Sequence, residues 1–204
     1  PKISRIIIIK IKMRKIGITG SLASGKTSAS KILSHNRGPL FSADKEVLKL
    51  YKRKAFKRLI LKKFRIKKNQ NIKRELKKKI TKDRSTINKL EKIIHPLIRR
   101  EMHNFIKKNS HKRYVFFEIP LLVESRLMKI FDLIFFIKAK KSIRLRRFRA
   151  SGGDKKLFEI LNKKQLSDKK KSEQCHHVVV NEKTLKFLKK RLLGIFRYYE
   201  RDIS

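Results

Sequence analysis

Two spacings alternate along this chain. Apolar runs with almost no polar interruption recur at Lys15–Thr19, Leu40–Phe41, Tyr114–Ile119, Leu133–Ile137 and Val178–Val180. Runs such as YVFFEI and LIFFI are what strands covered on both faces require, and helical segments separate them, so the pattern predicts an α/β fold around a parallel sheet. Between the second and third runs lie about seventy residues, more than one crossover helix needs. There Ile87, Leu90, Ile93, Ile94, Leu97, Ile98, Met102 and Phe105 fall at helical spacing over 86–106. Pro96 interrupts that stripe and predicts a break, or a second helix starting there. Residues 183–199 place Leu185, Leu188, Leu192, Ile195, Phe196 and Tyr199 on one face, a closing amphipathic helix.

The first apolar run breaks into Gly20-Ser-Leu-Ala-Ser-Gly25-Lys26-Thr27, which satisfies the phosphate-binding pattern G-x-x-x-x-G-K-[ST]. Its flanks suit that chemistry: Ile16 and Ile18 belong to a buried strand, and Lys26–Leu33 contains no Gly or Pro and can open a helix. Such a turn points consecutive backbone N–H groups into one concavity at the positive end of a helix. Lys26 can reach the β- and γ-phosphates and the Thr27 hydroxyl can ligate Mg²⁺, so the segment reads as a nucleoside triphosphate site.

Composition changes the picture less than its extremity suggests. The chain has 204 residues and 59 Lys and Arg against 16 Asp and Glu, a formal charge of +43. That balance ordinarily points to nucleic acid. Here the excess runs along nearly the whole chain together with heavy Ile use, as an AT-rich genome would encode, and it reads as charge tolerated on surfaces. Residues 62–84 hold twelve Lys and Arg against two acids; they form a solvated helical surface, a nucleic-acid stripe or a wall for an anionic small substrate, with Arg74 the candidate contact. No RNP-type interleaving of aromatic and basic residues occurs, so nucleic acid is not the expected partner. Cys175 is the single cysteine, which excludes an internal disulfide and suits a reducing, cytoplasmic setting. No apolar run approaches the roughly 18 residues that span a bilayer. The opening PKISRIIIIKIK has too short an apolar stretch for a signal peptide, and residues 1–12 are expected to be an upstream extension, disordered or outside the fold. The remainder, 13–204, reads as one domain, expected to act as a monomer.

Three further signals fall at strand C-terminal ends, where open α/β sheets bind ligands. They are Ser42-Ala43-Asp44, the segment from Glu118 through Pro120, Leu121 and Glu124, and an arginine cluster of Arg144, Arg146, Arg147 and Arg149 followed by Gly152-Gly153. Taken with GITGSLASGKT, HPLIR at 95–99, PLLVE at 120–124, Gln165 and VVVN at 178–181, the chain from about residue 15 to 193 resembles the dephospho-coenzyme A kinase family. The resemblance implies a P-loop NTPase-type three-layer α/β fold with a five-stranded parallel sheet, a helical substrate-binding insertion near 45–112 and a lid near 141–172. It implies transfer of the γ-phosphoryl of ATP, with Mg²⁺, to the ribose 3′-hydroxyl of dephospho-coenzyme A. By position, Gly20 and Ala23, Ser24, Gly25, Lys26, Thr27 and Ser28 would cradle ATP, with Asn181 near the adenine. Asp44 would activate the acceptor hydroxyl, and Thr27 and Glu118 would hold the metal. Arg147 and Arg149 would meet the transferred phosphoryl. His95, Pro120, Leu121 and Glu124 would contact the acceptor.

Several readings stay open at this level. Asp44 either accepts the hydroxyl proton, holds a metal-bound water or merely caps a helix. Glu118 is catalytic or an end-of-strand structural acid. His95 orients substrate or packs. Cys175, His176 and His177 are adjacent near a strand and cannot all face one ion. The chain also departs from the family where Ser21-Leu22-Ala23 replaces a glycine-rich stretch, where Ser42 replaces the first acid of a common Asp-Ala-Asp, and where His176 or His177 replaces an Asp. A methyl at Ala23 crowds the cradle only if that residue needs φ > 0. Another P-loop kinase, acting on a nucleotide or a nucleic-acid end, and a basic nucleic-acid-binding protein with a vestigial P-loop are the competing readings.

Overall fold

A computed structural model describes residues 12–83 and 85–201. All but the last residue of the expected extension at 1–12 therefore lies outside the described residues. Five strands, β1 (Arg14–Gly20), β2 (Leu40–Ser42), β3 (Tyr114–Glu118), β4 (Leu133–Lys138) and β5 (His177–Val180), form one parallel sheet in the order β2-β3-β1-β4-β5. These are the five apolar runs of the sequence, four of them extended at an end and the third one residue shorter, since β3 stops at Glu118 before Ile119. Ile16 lies opposite Phe116 and Ile18 opposite Phe135, so the strand feeding the P-loop is the middle of the sheet.

Side-chain alternation explains why the strands look uniformly apolar. Phe116 and Phe135 join Ile16 and Ile18 on one face, against Ala29 and Leu33 of α1 (Lys26–Ser34) and Leu188, Leu192 and Phe196 of α9 (Leu185–Arg201). Phe117 and Ile134 point to the other face, where they pack with Phe41, Phe131 and Met102 of α5 (Ser85–Lys108). Both faces are covered, so neither register of a strand is polar. Leu185 departs from its expected place: it is the first residue of α9 and 62% exposed, beyond the stripe that reaches the sheet.

Between β2 and β3 stand α2 (Ala43–Leu50), α3 (Lys54–Lys63), α4 (Ile72–Lys82) and α5. They enclose a small core of their own, with Leu50, Phe56, Ile60, Phe64, Ile66, Leu76 and Ile94 buried together. The break expected at Pro96 does not occur, and α5 runs through it for 24 residues. Proline there removes one N–H to the carbonyl of Lys92, on an exposed turn, while Ile87, Ile94 and Met102 bury the helix on both sides of it. Between β4 and β5 come α6 (Lys141–Ala150), α7 (Lys155–Lys164) and α8 (Asp168–Ser172). Two ion pairs tie them to the insertion: Lys77 with Asp154 at 2.7 Å and Lys164 with Glu91 at 2.5 Å. No helix among the described residues is long and apolar enough to cross a membrane.

Candidate active site

The P-loop turns where β1 ends, and α1 begins at Lys26 with Gly25 as its N-cap at φ 97°. A Cβ on Gly25 would come within 2.1 Å of Asn181 Nδ2, and one on Gly20 within 2.4 Å of the Ile137 carbonyl oxygen, so only glycine fits either position. Ala23 does adopt the left-handed region, at φ 57°, so its methyl is carried at a strain of about 1 kcal/mol. The Ser24 amide closes the turn onto the Ser21 carbonyl at 3.1 Å. The Ser24 hydroxyl is buried with no partner among the described residues.

Lys26 is buried, and its ammonium donates to the Ser21 carbonyl at 3.0 Å. Burial lowers its pKa from 10.5 to about 8, against the opposing pull of Asp44 and Glu118. Thr27 and Ser28 open to solvent at the mouth of the loop. The Thr27 hydroxyl donates to Glu118 Oε1 at 2.5 Å and the Ser42 hydroxyl to Glu118 Oε2 at 2.9 Å. Glu118, at the end of β3, is fully buried. Hydroxyl and carboxylate oxygens are the hard donors Mg²⁺ prefers; among the described residues no group of three or more His, Cys, Asp or Glu could hold a metal ion.

Asp44 is the second residue of α2, and Ser42, not Asp44, occupies the N-cap position. Its residue surface is open to solvent, yet enough protein crowds the carboxyl that desolvation raises its pKa, with Glu118 adding to the rise and Lys26 opposing it. Among the described residues nothing donates a hydrogen bond to this carboxylate. It borders a cavity of about 160 Å³ whose wall includes His95, Arg99, Pro120, Leu121 and Ser125. His95 is half-buried and its pKa is pushed down by desolvation. Arg99 donates to the Ser125 carbonyl at 3.1 Å.

The remaining expected residues divide. Arg147 donates to the Ser24 carbonyl at 3.3 Å and to the Asn181 carbonyl at 3.1 Å, which brings it to the P-loop. Arg149, two residues further along α6 and so on the other side of the helix, is exposed and away from that contact. Asn181 is buried, and its amide donates to the Ser24 carbonyl at 2.9 Å, bracing the loop from behind. Glu124 is not part of that cavity's wall and pairs with Lys171, 2.7 Å away. Arg74 stands on the exposed side of α4, its guanidinium 4.0 Å from its neighbour Glu75, and is not brought to the cavity. His176 Nδ1 accepts the Ile134 amide, His177 meets the Tyr199 hydroxyl at 2.6 Å, and Cys175 packs against the sheet core.

Sequence reasoning gave no role to four residues that hold this site. Arg144 is buried and bonds Asn162 Oδ1 at 2.7 Å and the Ala139 carbonyl at 3.1 Å, reaching Leu22 of the P-loop at 3.4 Å. Gln165 accepts the Leu22 amide at 3.1 Å, Asp168 accepts the Ser21 hydroxyl, and Lys171 is wholly buried beside them. Arg144 stood in the arginine cluster and Gln165 among the motif residues, both without a role, while Asp168 and Lys171 were not singled out.

Comparison with known proteins shows the family and the fold. The family model described as Dephospho-CoA kinase matches residues 14–186. The chain is 33% identical over 189 residues to a dephospho-CoA kinase of Bartonella quintana, covering 90% of this chain and 96% of that protein. It is 31% identical over 189 residues to one of Rickettsia typhi, covering 92% and 98%. Among solved structures, a Thermus thermophilus protein superposes with a TM-score of 0.74 at 23% identity, covering 92% of this chain and 98% of that one. The Campylobacter jejuni dephospho-CoA kinase superposes at 0.58 and 19% identity, covering 91% and 97%. These two share the fold.

Proposed function

Since the chain belongs to the dephospho-coenzyme A kinase family, we propose that this site transfers the γ-phosphoryl group of ATP to the ribose 3′-hydroxyl of dephospho-coenzyme A. The observation that carries the reading is Asp44: an unpartnered carboxylate with a raised pKa, near enough to the buried Lys26 to feel its charge, on the rim of a largely apolar cavity. A phosphotransferase with an alcohol acceptor needs that arrangement, because the chemistry asks for alignment and neutralised charge.

The backbone amides of residues 23–27 wrap the β-phosphate at the start of α1, where the helix end is positive. Lys26 bridges β- and γ-phosphate oxygens. Thr27 and Glu118, with Ser42 behind them, would hold Mg²⁺, which when bound would offset the negative charge of the triphosphate. The cavity lined by His95, Pro120 and Leu121 receives the acceptor and sets its hydroxyl against Asp44. As the hydroxyl oxygen bonds to the γ-phosphorus and the bond to the ADP oxygen breaks, the proton passes to Asp44. Arg147, already against the P-loop, supplies positive charge to the moving phosphoryl group, and the geometry favours it over Arg149. The test is Mg-ATP with a panel of acceptors: dephospho-coenzyme A, nucleoside monophosphates and RNA. Turnover of dephospho-coenzyme A well above the others is expected, and preference for any other acceptor refutes the assignment.

A further inference from the structure

One buried charge takes no part in the chemistry above. Lys171 on α8 is 0% exposed, with its ammonium 2.7 Å from Glu124 Oε1 and 3.2 Å from Gln165 Oε1. The same Gln165 oxygen accepts the Leu22 amide of the P-loop at 3.1 Å, and Glu124 Oε1 also accepts the Leu166 amide at 3.1 Å. Beside Leu22, the Ser21 hydroxyl donates to Asp168, the first residue of α8. Residues 165–171 thus grip two consecutive P-loop residues from outside the phosphate cradle.

Taking an ammonium out of water is unfavourable, and an apolar side chain would fill the same space with less penalty. What the ammonium adds is direction. A glutamine amide can present either its oxygen or its NH₂ group, and two donors converging on one point leave only the oxygen-inward orientation. Without Lys171 the amide is free to turn, and the Leu22 N–H loses its acceptor. We propose that Lys171, held by Glu124, is a positioning residue that orients Gln165 and through it the P-loop, so that ATP affinity depends on a side chain touching neither substrate. For its kinetic readout the inference rests on the phosphotransferase reading, while its binding readout needs only the P-loop.

The experiment measures ATP affinity by calorimetry, KM for both substrates and melting temperature in four variants: Gln165→Met, Lys171→Met, Gln165→Met with Lys171→Met, and Glu124→Leu with Lys171→Met. Gln165→Met should weaken ATP about tenfold, the equivalent of one hydrogen bond of about 1.4 kcal/mol, with acceptor KM unchanged. Lys171→Met should weaken ATP similarly, and the pair with Gln165→Met no further, because both act through one contact. Glu124→Leu with Lys171→Met removes the ion pair as a unit and should melt near the parent temperature while ATP stays weakened. Additive losses, unaltered ATP affinity in Gln165→Met, or recovery of ATP affinity in the variant lacking both charges would overturn the proposal. If Lys171→Met does not fold, Gln165→Met and the charge-free pair still decide it. Should the parent protein bind ATP but leave dephospho-coenzyme A untouched, the reaction assignment fails and the binding test of Lys171 is unaffected.

Discussion

Replacing Lys26 with methionine should make the protein inactive and more stable at once. Burial holds the Lys26 ammonium near pKa 8 in the folded chain, against 10.5 when unfolded. At neutral pH the group is charged in both states, so folding carries a penalty of about 3 kcal/mol for desolvating it. Methionine has similar length, carries no charge and forfeits only the hydrogen bond to the Ser21 carbonyl, worth about 1 kcal/mol. Lys26→Met should therefore gain about 2 kcal/mol at pH 7. The sign with pH is specific. Above pH 8 the folded state has released a proton that the unfolded state still binds, so this group's penalty shrinks until it is gone above 10.5. The assay is urea unfolding of both proteins from pH 6 to 11. Other titrating groups cancel in the difference between them, which should be largest below pH 8 and vanish or reverse near 11. A variant less stable than the parent at pH 7, or a difference independent of pH, would refute the burial argument.

Other consequences can be measured in the same protein. Phosphate oxygens placed on Lys26 should restore its proton, so ATP binding above pH 8 takes up a proton, visible in calorimetry as a heat that depends on the buffer. Asp44 acts as an acceptor only when ionised, so kcat/KM should rise through a pKa above the usual carboxylate range; Asp44→Asn should abolish that limb and lower kcat by at least about a hundredfold, and an unaltered profile would remove Asp44 from the chemistry. Ala23→Gly releases the left-handed strain at φ 57° and should raise the melting temperature by about 2–4 °C in a thermal melt, and an unchanged or lower value would refute the strain. Cys175, whose thiol burial pushes up to about 11, should react with iodoacetamide at pH 7.5 far more slowly in the native than in the urea-unfolded protein.

What could be read from the sequence was what is local or periodic. The strands were legible because both faces of the sheet are covered: Phe116 and Phe117 serve opposite cores and leave the run unbroken. The P-loop was legible because its function depends on contiguous backbone, with fixed glycines and the Lys26–Thr27 pair. Asp44 and Glu118 followed from strand ends. Choices that depend on tertiary phase were not legible. Arg147 and Arg149 are equivalent in composition, and only the docking of α6 decides which one meets Ser24. Glu124 reads as a cleft acid by position, but its partner Lys171 lies 47 residues later in a run of lysines that looks fully solvated. Pro96 reads as a boundary because proline usually ends helices, and here apolar burial on both of its sides prevails.

The middle position of β1 also governs how the chain comes off the ribosome. Its two neighbours are β3 and β4, so its first hydrogen-bonding partner, at Tyr114, emerges about a hundred residues later, roughly 5–20 seconds at ordinary synthesis rates. In that interval the insertion, with its separate cluster from Leu50 to Ile94, is already translated and can collapse alone. The nascent strand waits as an apolar ribbon, and Lys12, Arg14 and Lys15 beside it keep like charge where two waiting ribbons would otherwise associate.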